Sequence, residues 1–168
     1  MNSILPGLAS APNVHPMLVH FPLALLPVAL AVALLTLWRR HAFLDQMAQS
    51  LVYVGTLGAI VALATGYLAT WSMGHDAPGH DLIHIHRNWM VATTILGVAL
   101  SGFLFFISRR SRTFTAAGII GLAFVVVILM LGADRGALLV FEYGVGTATQ
   151  QVSDSPEADE HSLEEHEH

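Results

Sequence analysis

Four long runs of mostly apolar residues leave this chain few ways to fold. They cover about residues 17–38, 46–72, 82–108 and 114–131. A helix needs about 20 such residues to cross the hydrocarbon core of a bilayer. None of the runs alternates apolar with polar residues, and all are far longer than a strand. In lipid a helix satisfies all its backbone groups internally. The expected fold class is all-α, an integral membrane four-helix bundle.

Composition agrees. Hydrophobic residues make up 54% of the chain and charged residues 11%, against about 25% charged in soluble domains. That balance excludes an ordinary soluble enzyme and disorder over most of the length. Lysine is absent, the seven basic residues are all arginine, and the net charge is -5. A nucleic-acid partner is therefore not expected. With no cysteine, the chain alone can form no disulfide, iron–sulfur cluster or thiolate metal site.

Punctuation marks the helix ends. Pro16 suits the first turn of helix one, whereas Pro22 and Pro27 fall inside it and should bend it. Asp81 is expected to N-cap helix three. Trp38, Trp71 and Trp89 are expected near the membrane interfaces. Gly58, Ala62 and Gly66 in helix two, and Gly97 and Ser101 in helix three, have the four-residue spacing that lets helices approach closely. The segment before helix one carries no Lys or Arg, and the apolar run ends in Arg39–Arg40. Helix one therefore reads as a retained span rather than a cleaved signal.

Arg39 and Arg40 lie between helices one and two, and Arg109, Arg110 and Arg112 between helices three and four. The positive-inside rule assigns these loops to the cytoplasm. Both termini and the loop Ser72–Asp81 then face outward, to the periplasm of a bacterial inner membrane. Residues 1–14 form an outer N-terminal segment, and 134–147 a short returning outer segment after helix four. Residues 151–168 form an acidic, solvated tail containing His161, His166 and His168.

The histidines are unevenly spread. His15, His20, His75, His80, His84 and His86 all fall in the outer layer, and only His41 falls inside. Ionisable residues at membrane depth usually serve function or are paired. Two imidazoles on facing helices could hold haem b, with His20 and His84 as the first pair and His86 as the reserve. His84 and His86 lie roughly 200° apart around a helix axis, so which one faces the bundle is left open. Alternatively His15, His75, Asp76, His80 and His84 offer ligands for zinc, copper or nickel. A third reading takes the histidines as interface residues of an accessory subunit without a cofactor. Asp134–Arg135 reads as a local ion pair, and Tyr53 and Tyr67 as bundle packing.

The segment HPMLVHFP at His15–Pro22 and the segment GADRGALLVFEYGVG at Gly132–Gly146 resemble the two ends of a bacterial membrane family known as domain of unknown function 2231. His84 or His86 with Asn88 is similar to that family's entry into helix three. The resemblance covers about residues 13–147 and implies four membrane helices. Some relatives carry attached Rieske or cytochrome c domains, which implies redox surroundings and favours haem over bare metal. On that basis the chain is expected to sit in the lipid bilayer beside membrane or periplasmic redox proteins. It would be an electron-transfer or accessory subunit rather than a stand-alone enzyme.

Overall fold

The computed structural model describes residues 13–39, 41–71, 79–108 and 115–145, together with Ile4. Among these, four helices are long and apolar enough to span a bilayer. They are α1 (His15–Trp38), α2 (Ala42–Trp71), α3 (His80–Ser108) and α4 (Ala116–Tyr143). They run alternately up and down. α1 and α3 begin at one end of the bundle, where α2 and α4 finish; the density of histidines there makes it the histidine end.

Local chemistry explains the boundaries. The Asn13 side chain accepts a hydrogen bond from the His15 backbone N–H at 3.2 Å, and Pro16 occupies the first turn of α1. A break at Val19 divides α1 into His15–Leu18 and His20–Trp38. Pro22 explains it, because its ring leaves the Leu18 carbonyl without a helical donor and crowds it. Pro27 is the proline inside the longer piece. Thr115 caps α4 by accepting from the Gly118 N–H at 3.2 Å. Gly144, at φ 63°, closes α4 in the left-handed conformation that glycine adopts without strain.

Two boundary expectations are corrected. Asp81 lies in the first turn of α3 rather than at its cap; Gly79 precedes the helix at φ 78°. Residues 134–143 are the last turns of α4, not a returning segment. Gly136 does not break the helix there, and it lies against His86 of α3. The tail 151–168 lies outside the described residues.

Side chains sort into lipid-facing and packed sets. Ile120 is 71% exposed while Leu122 is fully buried. An apolar surface of this kind is a liability in water and is matched to lipid. Trp38 and Trp71, both exposed, sit at helix ends as interface anchors. The packed core joins Leu26, Ala29 and Ala33 of α1 to Ala48 and Val52 of α2, Leu100 and Leu104 of α3, and Leu122 and Val125 of α4. It fills the half of the bundle away from the histidine end.

Small residues set the close approaches. A Cβ on Gly55 would come within 2.9 Å of Leu26 Cδ2, and one on Gly58 within 3.0 Å of Phe21 Cβ. Gly97 faces Thr56, and Ser101 donates to Thr56 Oγ1 at 3.2 Å across the α2–α3 seam. Leu26→Ala should therefore lower stability by about 2–4 kcal/mol, because the cavity left against Gly55 cannot refill. Thermal unfolding in detergent checks this. Arg135 meets Asp134 at 2.8 Å on an exposed surface, the local pair expected from the sequence. Asp134→Asn should shift stability by less than about 1 kcal/mol in the same assay.

Candidate cofactor cavity

At the histidine end the four helices part around a cavity of about 400 Å³. That size falls within the range of small-molecule and cofactor sites. Its wall is mainly apolar, drawn from residues such as Leu23, Leu63, Met90 and Leu129. Two imidazoles, His15 and His86, enter that wall from α1 and α3.

The two are held in the same way. His15 Nδ1 donates to the Ala62 carbonyl of α2 at 2.9 Å. His86 Nδ1 donates to the Gly132 carbonyl of α4 at 2.8 Å. The partners lie 47 residues away in sequence in the first case and 46 in the second. Each ring lies against the glycine one turn beyond its carbonyl. A Cβ on Gly66 would stand 3.0 Å from His15 Cε1, and one on Gly136 2.9 Å from His86 Cε1.

Helix geometry explains the device. A helical side chain leans back over the turn before its own Cα. A residue one turn beyond a carbonyl therefore shields it. Glycine at that position uncovers the carbonyl, whose second lone pair can accept a bond from outside the helix. Donation from Nδ1 fixes the tautomer and leaves the Nε2 lone pair unprotonated. Neither Nε2 has a hydrogen-bond partner among the described residues, and neither is a buried unsatisfied atom. Both rings belong to the cavity wall.

The two halves of the bundle repeat this construction. In α2 the buried positions Ala48, Val52, Gly55, Ala59 and Ala62 match Gly118, Leu122, Val125, Leu129 and Gly132 in α4, interval for interval. In α1 Pro22, Leu26, Ala29 and Ala33 match Thr93, Gly97, Leu100 and Leu104 in α3. The helical interval alone is common to packed helices. The shared order of histidine, carbonyl and glycine goes beyond that interval. The cavity thus lies between two equivalent hairpins, each contributing one carbonyl-anchored imidazole.

The other candidate residues are placed differently. His20 borders the cavity but is exposed to the surroundings of the bundle. His84 is not in the cavity wall. Its Nδ1 accepts from an Arg87 N–H at 2.6 Å, and its Nε2 lies 3.0 Å from His80 Nε2. The structure therefore brings together His15 and His86 rather than His20 and His84. Helical phase is the reason, since His84 and His86 point to opposite sides of α3 and only His86 turns inward.

His80 stands edge-on to His84, with ring centroids 4.6 Å apart. His75 and Asp76 lie outside the described residues. Among the described residues, no three His, Asp or Glu side chains converge to hold a metal. Tyr67 does more than pack, because the Arg87 guanidinium lies over its ring, 5.6 Å from the centroid. The roles of Gly66, Gly132, Gly136 and Arg87 are not apparent from residue type. The signal for the glycines is the spacing of Ala62–Gly66 and Gly132–Gly136, each in the helix that follows a histidine-led one.

Residues 11–149 match the profile of DUF2231, described as a predicted membrane protein family. The chain belongs to that family. The matched segment takes in all four helices and both histidine–glycine pairs, so the cavity lies wholly within the DUF2231 part of the chain. No curated protein and no solved structure matches the chain significantly.

Proposed function

We propose that this membrane protein binds haem b through His15 and His86 and acts as an electron-transfer subunit near the periplasmic face of a bacterial inner membrane. One observation carries the reading. Two Nδ1-anchored imidazoles, one from each half of the bundle, line a single apolar cavity, and neither Nε2 has a hydrogen-bond partner among the described residues. This donor set fits haem iron, because neutral imidazole oriented by a backbone carbonyl is a good axial ligand. Haem, when bound, would supply one-electron transfer, and His15 and His86 would hold it. The protein's share is to fix the two rings, exclude water with apolar walls and set the local dielectric.

The proposed orientation rests on Arg39, Arg40, Arg109, Arg110 and Arg112, which in the sequence fall between α1 and α2 and between α3 and α4. The site then faces outward, where membrane or periplasmic redox proteins could exchange electrons with it. The first test is an absorption spectrum of detergent-purified protein, oxidised and then dithionite-reduced. A Soret band that shifts on reduction and sharp visible bands are expected. A colourless protein that also takes up no added haem would sink the proposal.

The close approach of His80 and His84 favours a second reading. Their Nε2 atoms, one helical turn apart, lie within 3.0 Å and could share a zinc, copper or nickel ion with His75 and Asp76. The Arg87 guanidinium beside His84 opposes a cation there, which ranks this reading second. Metal content measured on the same sample separates the two. Stoichiometric metal without haem absorbance would favour the loop histidines, and neither would favour an accessory subunit without a cofactor.

A further inference from the structure

Arg87 is out of keeping with the wall it belongs to. It lines the apolar cavity and is half-buried. Among the described residues no carboxylate lies within salt-bridge distance of it. It meets the Tyr67 ring beneath the guanidinium and His84 Nδ1 at 2.6 Å. A guanidinium has five N–H donors, and one bond to His84 leaves most of them free. Removing such a charge from water is costly unless an anion meets it.

Position adds to this. Tyr67 is one residue beyond Gly66 toward the end of α2, and His84 lies nearly one turn before Arg87 toward the start of α3. The guanidinium therefore reaches from beside His86 toward the mouth of the bundle. The tyrosine ring below and the histidine alongside hold its plane. A fixed, planar donor fork of this kind suits an oxyanion with two oxygens.

We propose that Arg87 is the docking point for a carboxylate of the molecule that fills the cavity, so that the cavity selects an apolar body carrying a carboxylate at the mouth. This rests on the haem reading, since haem b is such a molecule, with an apolar macrocycle and two propionates. Arg87 then acts as a positioning residue: it fixes which edge of the ligand faces outward, while His15 and His86 hold its centre.

The test titrates haem b and its dimethyl ester, which lacks the carboxylates, into cofactor-free wild type, Arg87→Gln and Arg87→Lys, and reads affinity from the Soret band. Wild type should prefer haem b over the ester by about ten- to a hundredfold, the worth of a charge-assisted hydrogen bond. R87Q should lose that preference while binding the ester as wild type does. R87K, which keeps the charge without the fork, should retain part of the preference. Equal affinity of wild type for both ligands would overturn the proposal and leave the haem reading standing. So would an equal loss of both ligands in R87Q, which would mark Arg87 as structural. Retention of phospholipid by wild type but not R87Q, without discrimination between haem and ester, would assign the guanidinium to a lipid phosphate instead. Failure of wild type to bind either ligand would overturn the haem reading and this proposal together.

Discussion

His15→Ala and His86→Ala are each expected to remove the reversible six-coordinate haem spectrum, whereas His20→Ala and His84→Ala should keep it. On the haem reading each imidazole would supply one bond to the iron, and the two sit in equivalent surroundings, so the single variants should resemble each other. Haem affinity should fall by more than about 100-fold in either, beyond the 10–100-fold typical of losing only an orienting partner. The measurement is haem content per protein with the reduced-minus-oxidised spectrum. Full haem content in both His15→Ala and His86→Ala would eliminate this pair. Loss confined to His20→Ala or His84→Ala would return the site to the histidines at the rim.

The second large effect comes from residues with no polar side chain. Gly136→Leu should displace the His86 ring, because even a Cβ would stand 2.9 Å from Cε1 and 3.2 Å from Nδ1. The ring cannot give way without lengthening its 2.8 Å bond to the Gly132 carbonyl. Gly66→Leu should do the same to His15. Losing that orientation should weaken haem binding by about 10–100-fold. Gly102 is the matched control, since a Cβ there meets nothing within 4 Å. Gly102→Ala should leave haem content unchanged and raise stability by up to about 1 kcal/mol through reduced backbone freedom. Equal haem content in Gly66→Leu, Gly136→Leu and Gly102→Ala would show that ring placement does not govern binding.

These two predictions differ in how visible their basis is in the sequence. Histidine can be seen as a ligand wherever it occurs, so His15, His20, His84 and His86 all stand out. Ranking them is harder. His20 lies inside an apolar run, where a ligand could be expected, yet it is exposed. His84 lies close to His86 but has both nitrogens engaged with Arg87 and His80. His15, at the very start of α1, gains its position from a carbonyl and a glycine in the next helix. The glycines read as close-packing residues, which Gly66 and Gly136 are, but what packs on them is an imidazole.

The number of helices, their approximate ends and their lipid-facing character follow from the sequence alone, because crossing a bilayer demands a long apolar run that satisfies its own backbone. The extent of α4 does not, because Gly132 and Gly136 weaken a helix in isolation and neighbouring helices compensate for that weakness. The choice of His15 and His86 over His20 and His84 belongs to the tertiary structure. It depends on the rotational phase of α1 and α3 and on which carbonyls α2 and α4 leave uncovered. Those are relations between helices, and no single apolar run contains them.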